Sequence, residues 1–419
     1  MSPSATAPVS SASTAARASV ALEPLGQALG QACEFALELA AKKTNQRGDV
    51  TEVNGFNLEK LVSQFQIVAE FEEGHAWTKG HINDTYIVTC RQGGTPIRYI
   101  LQRINHQVFL YPELVMQNVK MTTDHLRKKI GSEDKHDLTR RTMTLVPTRG
   151  GAPYYRDHDG NYWRAYVFIE RVISTHVAEQ PSQAGQVGSA FGLFQKRLAD
   201  LPPEKVQETI PEFHNGRLRF EALEKAAAED SVGRVTGAQA EIDFCRKHRG
   251  IVSLLLDAQA RGELPLRITH NDTKIDNVLF DSDSGEVVCI VDLDTVMPGL
   301  AHYDFGDMMR TLTSPADEDE RDLAKVTMRM EYFEELAKGY LAEAGEFLTQ
   351  AERDHLAVSG KVITLILGIR FLTDHLNGDT YFRVHREGQN LDRARVQFRL
   401  VESMLEQEEA MKSFVAALG

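Results

Sequence analysis

Residues 268–296 begin with Ile-Thr-His-Asn-Asp-Thr-Lys-Ile-Asp-Asn-Val-Leu-Phe-Asp and end with Val-Val-Cys-Ile-Val-Asp-Leu-Asp-Thr-Val. The apolar runs 278–280 and 287–291 are rich in β-branched residues, and a cluster of turn formers separates them. This pattern predicts a β-hairpin. If the turn is centred near Ser284, Asn277 faces a residue near Val291, and Asp292 lies within a residue or two of it. Because paired strands are about 5 Å apart, the two polar side chains should lie close together.

Polar residues before and after this hairpin indicate phosphoryl transfer. His270, Asp272 and Asn277 have the spacing of a catalytic loop in which the Asp accepts the proton of an attacking hydroxyl and the Asn holds Mg²⁺. Asp292 adds a second hard oxygen ligand of the kind that Mg²⁺ prefers. Each residue alone would be interpreted as a turn, a cap or a strand end. Their joint occurrence favours the catalytic interpretation.

Two of the four neighbouring polar residues have alternative roles. Lys274 either neutralises charge on the transferred phosphoryl group or is a surface lysine. Asp294 binds a substrate hydroxyl, binds a second metal or caps the following turn. We expect His270 to support the loop by hydrogen bonding rather than to transfer a proton, and Asp304 to tie the loop down.

The composition is that of a globular protein with more than one core or lobe. The chain has 419 residues, of which 42% are hydrophobic and 26% charged, and single cores stop growing near roughly 250–300 residues. A net charge of −13 argues against nucleic acid as a partner. Cys33, Cys90, Cys245 and Cys289 lack zinc-site or disulfide spacing, which favours a cytoplasmic location. The longest apolar run, 362–369, is too short to span a membrane, so no membrane partner is expected.

The first part of the chain predicts a small antiparallel sheet. Residues 1–19 are too polar and small to form a core and are predicted to be a disordered tail, rather than a targeting segment. An amphipathic helix is predicted at 20–43 and a short helix capped by Asn57. Strands are predicted, in order, at 67–71, 85–90, 97–104 and 162–169. A polar turn at 77–84, containing Gly80, joins the first two and is a candidate phosphate cover, although an ordinary hairpin has the same pattern.

A cation on the strand 97–104 is expected to reach the phosphates. Either Gln102 or Arg103 can face the cleft, since neighbours on a strand point to opposite sides. Charge favours Arg103. Glu113, at the start of a helix predicted at 112–129, is a candidate partner for it, or only a favourable acid in the first helical turn.

The second part of the chain is mostly helical in pattern. Helices are predicted at 184–198, 217–228, 238–258, 361–376 and 391–418, and another begins near Tyr303. The aromatic strand 162–169 and the following Glu170 suit a connector between two lobes. The predicted organisation is an N-terminal lobe at 20–167 and a C-terminal lobe at 168–419, in an α+β fold.

Several motifs resemble one enzyme family. Thr269-His270-Asn271-Asp272-Thr273-Lys274 with Asn277, followed by Val-Asp-Leu-Asp-Thr at 291–295 and Tyr-Asp-Phe-Gly-Asp at 303–307, is similar to the aminoglycoside phosphotransferase and choline kinase superfamily. Within it, the chain most resembles the N-acetylhexosamine 1-kinases. This closer match depends on the stretches 80–86, 101–105, 209–215, 370–374 and 378–382.

The resemblance implies a protein-kinase-like fold of two lobes, with a small β-sheet lobe and a helical lobe that holds the catalytic hairpin. It implies phosphorylation by ATP and Mg²⁺ of the anomeric hydroxyl of N-acetylglucosamine or N-acetylgalactosamine. By motif, Asp272 is the base, Asn277 and Asp292 are the metal ligands, and Arg370 and Tyr381 bind the sugar. The turn with His81, Asn83 and Thr85 should face the phosphates or the sugar. Together with the residue analysis above, this predicts Lys274 beside the base, Asp294 at the sugar, and Arg103, Phe168 and Glu170 at the nucleotide.

Two alternatives remain open at this point. The same chemistry can act on another sugar, an amino alcohol or an aminoglycoside, because the fold does not determine the acceptor. A catalytically inactive nucleotide-binding regulator is a further alternative, and intact Asp272, Asn277 and Asp292 argue against it. The sequence does not indicate the preferred epimer or the oligomeric state.

Overall fold

A computed structural model of the protein describes residues 52–77, 82–133 and 136–419. The chain divides into two compact units, Met1–Phe56 and Asn57–Gly419. The described part of the first unit contains strand β1 (Glu52–Val53) and the beginning of β2 (Phe56–Asn57). The predicted tail at 1–19, the predicted helix at 20–43 and His81 lie outside the described residues. Everything that follows concerns the second unit.

The second unit opens with a helix and an antiparallel sheet. Helix α1 (Leu58–Val62) is capped as expected, because the Asn57 side chain accepts the backbone N–H of Lys60 at 2.9 Å. The sheet runs in the order β3-β4-β5-β8-β6, with β7 paired to β8. Its strands are β3 (Glu70–Trp77), β4 (Asp84–Gln92), β5 (Thr95–Ile104), β6 (Leu145–Val146), β7 (Tyr155–Arg156) and β8 (Tyr162–Val167).

The turn between β4 and β5 shows why the chain reverses at this point. Gln92 pairs with Thr95, and the two residues between them, Gly93 and Gly94, have φ of 57° and 87°. Positive φ at both central positions is the requirement of a two-residue hairpin turn that matches the strand twist. One predicted boundary is wrong, since β3 begins at Glu70 rather than at residue 67, and Val68 is 82% exposed.

Helix α2 (Pro112–Glu133) and the short α3 (Leu138–Arg141) connect β5 to the later strands of the sheet. One face of α2 contributes Met116 and Val119 to a buried cluster that also includes Tyr166 of the sheet. Ile268 and Leu293, from the segments around the predicted catalytic hairpin, belong to the same cluster. The sheet and the catalytic segment therefore share one hydrophobic core.

Helices make up most of the chain after Val167. They are α4 (Pro181–Leu198), α5 (Gly216–Glu229), α6 (Gln239–Lys247), α7 (Leu254–Ala260), α8 (Ala301–Thr313), α9 (Met330–Ala344), α10 (Gln350–Leu376), α11 (Gln389–Glu406) and α12 (Glu408–Ala417). Two predicted helices are each divided. The helix predicted at 238–258 ends at Lys247, before a 3₁₀ segment, Arg249–Ser253, that contains the poor helix former Gly250. The helix predicted at 391–418 is interrupted at Gln407.

Helices α4 and α9 approach each other closely because glycines line their contact. A Cβ added to Gly339 would lie 2.0 Å from the carbonyl oxygen of Gly185, and one added to Gly188 would lie 2.5 Å from that of Leu336. Real Cβ atoms do not come this close to backbone oxygens. The two backbones therefore touch at positions where any side chain would separate them.

Helix α10 is the central helix of this helical region. Among the described residues, it is the one helix that is long and apolar enough to cross a membrane, with mean hydropathy 1.7 over its most apolar window. The apolar run 362–369 lies within this helix, so the helix is longer than the run that the sequence analysis considered. However, 78% of that window is buried inside the protein, which is the environment of a core helix.

The predicted hairpin is confirmed. Strands β11 (Val278–Asp281) and β12 (Val287–Ile290) pair antiparallel, with Val278 opposite Ile290, and β9 (Val172–Ile173) pairs with the other edge of β11. Just outside this sheet, β10 (Arg267–Thr269) pairs with β13 (Met297–Gly299). The described chain is thus an α+β fold with a small antiparallel sheet lobe and a mainly helical lobe that carries the hairpin.

Candidate active site

The loop after β10 is held in place by one buried carboxylate. Asp304, on α8, accepts the backbone N–H groups of His270 at 3.0 Å and Asn271 at 2.7 Å, and the side-chain amide of Gln195 at 2.7 Å. Asn271 has a φ of 65°, in the left-handed region that most residues avoid. Asp304 therefore stabilises a loop backbone that would otherwise be unfavourable, as expected from the sequence.

His270 is buried and supports the hairpin. Its Nε2–H donates to the carbonyl oxygen of Val291 at 3.0 Å, and its ring contacts Phe191 and Phe194 edge-on. The imidazole thus connects the loop to the end of β12. These contacts agree with the expectation that His270 is a supporting residue rather than a proton carrier.

Asp272 lies at the end of this loop with its side chain about 30% exposed. Its Oδ2 is 3.1 Å from Nζ of Lys274 and accepts Nδ2 of Asn277 at 2.9 Å. Burial alone would raise the pKa of Asp272, but the ammonium of Lys274 and the hydrogen bond from Asn277 outweigh it and lower that pKa. The carboxylate is therefore ionised, accessible and oriented by two donors.

The structure brings Asp292 to the place that the hairpin predicts. The backbone N–H of Val291 donates to the carbonyl of Asn277 at 2.9 Å, so Asp292 follows directly after the residue opposite Asn277. Asp292 has a φ of 62°, and strained backbone of this kind is concentrated at functional sites. Its side chain is accessible to solvent. Even so, partial loss of hydration and the repulsion of Asp294 and Asp272 raise the pKa of Asp292 to about 6.

Asn277 and Asp292 could hold a divalent cation. No group of three or more His, Cys, Asp or Glu side chains within the described ranges is arranged as a metal site by itself. Mg²⁺, however, is usually held by one or two carboxylates together with waters and substrate phosphates. The amide nitrogen of Asn277 is used by Asp272, which turns the amide oxygen away. The crowding of negative charge around Asp292 favours a cation, so these residues fit such a site.

A buried ion pair that the sequence analysis missed connects the sheet to the hairpin. Arg164, in the middle of β8, is 1% exposed and binds both carboxylate oxygens of Asp294, which is 3% exposed. Asn83 also donates to Asp294, at 2.7 Å. Because its oxygens are occupied and buried, Asp294 is not available to a sugar hydroxyl, contrary to the expectation. A lone Arg within an aromatic strand was the available signal, since buried charges need partners.

Gln102, and not Arg103, points toward this ion pair. The Gln102 side chain accepts Nε of Arg164 at 2.9 Å and donates to Thr85 at 2.9 Å. Arg103, on the opposite face of β5, binds Asp84 and donates to Asn161 at 3.2 Å. The choice of Arg103 as the cation facing the cleft is therefore wrong, because strand alternation places it outside.

The proposed partner of Arg103 has a different contact. Glu113 accepts a hydrogen bond from the Tyr162 hydroxyl. This hydrogen bond outweighs burial and lowers the pKa of Glu113. Glu113 also lies in the first turn of α2, where an acid is favourable.

Arg370 and Tyr381 lie together, as the sequence analysis expected. Nη2 of Arg370 is 3.5 Å from the Tyr381 hydroxyl, and its guanidinium lies 5.2 Å from the Phe213 ring centroid and 5.4 Å from that of Phe382. Asp374 bends the chain back after α10 by accepting the backbone N–H groups of Tyr381 at 2.8 Å and Phe382 at 2.9 Å. We call Phe213, Arg370, Tyr381 and Phe382 the aromatic wall.

His214 connects the aromatic wall to the catalytic loop. Its ring centroid lies 4.5 Å from that of Phe213, in an edge-on contact, and 4.6 Å from that of Tyr303, in a tilted one. Burial, then the positive charges of Arg370 and Arg219, lower the pKa of His214 to about 3, whereas Asp272 acts in the opposite direction. His214 is therefore neutral and lies within electrostatic range of both Arg370 and Asp272.

Comparison with known proteins agrees with this geometry. A profile of the APH phosphotransferase enzyme family matches residues 75–354, which include the sheet, the loop and the hairpin. The chain belongs to this family.

Solved structures of phosphotransferases show the same kinase-like fold. An aminoglycoside phosphotransferase from Alicyclobacillus acidocaldarius matches with a TM-score of 0.53 and 13% sequence identity, over 90% of this chain and 98% of its own. A spectinomycin phosphotransferase, in complex with ADP and spectinomycin, matches with a TM-score of 0.51 and 11% identity, over 84% of this chain and 97% of its own. At these identities the likeness establishes the fold, and substrate choice needs separate evidence.

In this phosphotransferase, Phe168 and Glu170 follow the sheet and gather around Arg98 rather than the catalytic loop. The Arg98 guanidinium lies 4.0 Å from the Phe168 ring centroid and donates to Glu170 at 2.9 Å. The backbone N–H of Phe168 donates to the carbonyl of Arg98 at 3.1 Å. The segment 168–170 is therefore hydrogen-bonded to β5 through its first residue, Phe168.

Proposed function

We propose that the protein is an ATP-dependent N-acetylhexosamine 1-kinase, which transfers the γ-phosphoryl group to the anomeric hydroxyl of N-acetylglucosamine or N-acetylgalactosamine. The family membership supports phosphoryl transfer, and the ADP bound to a structural relative supports ATP as donor. The observation that carries the choice of acceptor is the aromatic wall, joined through His214 to the loop of Asp272. Aromatic rings beside a hydrogen-bond donor such as Arg370 suit a sugar, which has apolar C–H faces and polar edges.

Asp272 is the proposed base. It orients the anomeric hydroxyl and takes its proton as the bond from that oxygen to the γ-phosphorus forms and the bond to the β-phosphate oxygen breaks, so that ADP leaves. An anomeric hydroxyl is more acidic than an ordinary alcohol, so a base with a lowered pKa suffices. Lys274 keeps Asp272 ionised and places a positive charge beside the transferred group.

Asn277 and Asp292 are the proposed ligands of Mg²⁺. When bound, the ion neutralises charge on the phosphates of ATP. The turn that contains His81 and leads to Asn83 and Thr85 is proposed to cover those phosphates. The backbone between Phe168 and Glu170 is proposed to contact the adenine edge.

Arg370 and Tyr381 are the proposed sugar-binding pair. The Arg370→Ala variant should raise the KM for the sugar at least about tenfold, the loss expected for a hydrogen bond from a charged donor, and change the KM for ATP little. Initial-rate kinetics with each substrate varied in turn measure both constants. An increase confined to the KM for ATP would place Arg370 at the nucleotide instead.

An acceptor panel tests the proposal. ADP release is measured with N-acetylglucosamine, N-acetylgalactosamine, glucose, glucuronic acid, choline and an aminoglycoside, and ³¹P and ¹H NMR locate the phosphate. The matched control is the methyl glycoside of N-acetylglucosamine, which lacks only the anomeric hydroxyl and should not react. A 6-phosphate product, reaction of the methyl glycoside, or turnover of choline or the aminoglycoside alone would refute the 1-kinase assignment.

A further inference from the structure

Two guanidinium groups on the acceptor side have no carboxylate partner. Arg370 contacts the Tyr381 hydroxyl and aromatic rings, and Arg219 donates to the backbone carbonyls of Glu212 at 3.1 Å and Phe213 at 3.2 Å. Neither forms an ion pair with the parts of the chain that the structure describes. In a protein of net charge −13, this is a local excess of positive charge.

Three carboxylates of the candidate active site are already paired with cations. Each forms an ion pair of about hydrogen-bond length, and the pairs are Asp272 with Lys274 at 3.1 Å, Asp294 with Arg164 at 2.9 Å, and Asp307 with Arg310 at 2.8 Å. These three carboxylates are therefore not available as partners for the two arginines.

The two arginines act on each other and on His214. Burial comes first among the causes that lower the pKa of Arg370, and the charge of Arg219 lowers it further. Burial also lowers the pKa of Arg219, while Tyr381 and Glu212 act in the opposite direction. The Glu212 carboxylate itself accepts the Asn215 amide at 2.7 Å. The single carboxylate of Glu212, which also binds Asn215, does not balance the charges of both arginines.

We propose that Arg219 and Arg370 form an electrostatic filter that rejects acceptors bearing a protonated amine and admits their neutral N-acylated counterparts. The inference rests on the proposed function, since it takes the aromatic wall as the acceptor site. An ammonium group at the wall would meet two uncompensated positive charges in a partly buried site, where charge interactions are stronger than in water. An N-acetyl group has no charge and presents a carbonyl oxygen to the guanidinium donors.

Arg219 allows a matched test because it can lose its charge or keep it. Arg219→Gln removes the charge, and Arg219→Lys keeps it. Both variants lose the Nη2 group that donates to the carbonyls of Glu212 and Phe213, so the effect of losing the guanidinium is common to the two. The difference between the variants isolates the charge.

The test compares glucosamine with N-acetylglucosamine, at a pH at least one unit below the pKa of the glucosamine amine. Initial rates give kcat/KM for each sugar, and calorimetry gives Kd without turnover. The preference for N-acetylglucosamine over glucosamine should fall by about tenfold in Arg219→Gln, the order of magnitude for removing one charge several ångströms away. It should stay close to the wild-type value in Arg219→Lys.

The outcomes separate the filter from the proposed function. An equal preference in the Gln and Lys variants overturns the filter, even if N-acetylglucosamine is a good substrate. Absence of turnover of N-acetylglucosamine by the wild-type protein overturns the proposed function, while the ratio of Kd values still decides the filter. Absence of binding of both sugars to the wild-type protein overturns both.

Discussion

Removing Arg164 should destabilise the protein far more than removing an arginine from a surface ion pair. The side chains of Arg164 and Asp294 are 1% and 3% exposed, and the guanidinium also donates a hydrogen bond to Gln102. Breaking a buried pair by deleting one partner costs about 3–5 kcal/mol, because the remaining charge stays buried without compensation. The loss of the hydrogen bond to Gln102 adds to this. We therefore expect Arg164→Met to lower the free energy of unfolding by about 4 kcal/mol.

The chain contains a matched control for this prediction. Arg91 also makes a forked contact with a carboxylate, that of Glu72, but the two side chains are 44% and 38% exposed. Exposed pairs contribute about 0–1 kcal/mol, so Arg91→Met should be nearly neutral. A double variant, Arg164→Met with Asp294→Asn, should be more stable than Arg164→Met alone, because the stranded charge is removed.

Urea unfolding followed by circular dichroism provides the assay. Wild type, Arg164→Met, Arg91→Met and the double variant are compared by midpoint and slope. If Arg164→Met and Arg91→Met shift the midpoint equally, burial does not govern the strength of this ion pair and the reasoning fails. The reasoning also fails if the double variant is no more stable than Arg164→Met alone.

Three further predictions concern chemistry, pH and packing. Asp272→Asn should lower kcat at least about 10²-fold, the low end of what a positioned base contributes. Its affinity for ATP, measured by calorimetry, should be nearly unchanged. A variant with the kcat of the wild type would rule out the base assignment. Because the pKa of Asp292 is about 6 in the folded protein, above its ordinary value, its ionisation opposes folding above that pH and not below about 4. Asp292→Asn should therefore raise the melting temperature at pH 7 and lose this advantage at pH 4, while inactivating the enzyme; an equal gain at both pH values would contradict the raised pKa. Gly339→Ala should lower the free energy of unfolding by about 1–3 kcal/mol, because the added methyl group overpacks against Gly185. Gly237→Ala is the control, since an added Cβ there meets nothing within 4 Å, and its melting temperature should stay near that of the wild type. Similar melting temperatures for the two variants would count against a tight helix contact.

The catalytic hairpin was predictable because its information is local. The two strands and the turn between them are adjacent in sequence, so β-branched runs and turn formers determine which residues pair. Asn277 and Asp292 are fifteen residues apart along the chain, and the register alone brings them together. The shift in register between Leu279 and Phe280 was not predictable, and it did not disturb the end of the hairpin where these two residues lie.

The contact between Arg164 and Asp294 was not predictable, because 130 residues separate its partners. Charge was the only guide to the cation on the sheet, and charge favoured Arg103. The side chains of β5 alternate between its two faces, and this alternation places Gln102 on the inner face and Arg103 on the outer one. The choice of inner face follows from tertiary packing, and a strand with apolar residues on both faces does not reveal it.

Two residues of the aromatic wall were predicted through the resemblance of their motifs to a known family. Arg370 and Tyr381 were assigned from motifs, since nothing in their spacing distinguishes them from surface residues. The physical reason for their meeting is Asp374, whose carboxylate collects the backbone N–H groups of the returning chain. Arg219 and His214 were not singled out, because their importance comes from what surrounds them in space.

Helix α10 has a further consequence for how this enzyme can change. Near its start, Glu352 binds Arg267, the first residue of the strand that leads into the catalytic loop, at 2.6 Å. Near its end, about 27 Å away for eighteen residues of helix, it carries Arg370. The catalytic loop and the proposed acceptor pocket are thus attached to the same helix, while the residues that finish the pocket follow after Leu376. On the proposed assignment of Arg370 and Tyr381, replacement of that short return segment should alter acceptor choice and leave Asp272, Asn277 and Asp292 in place.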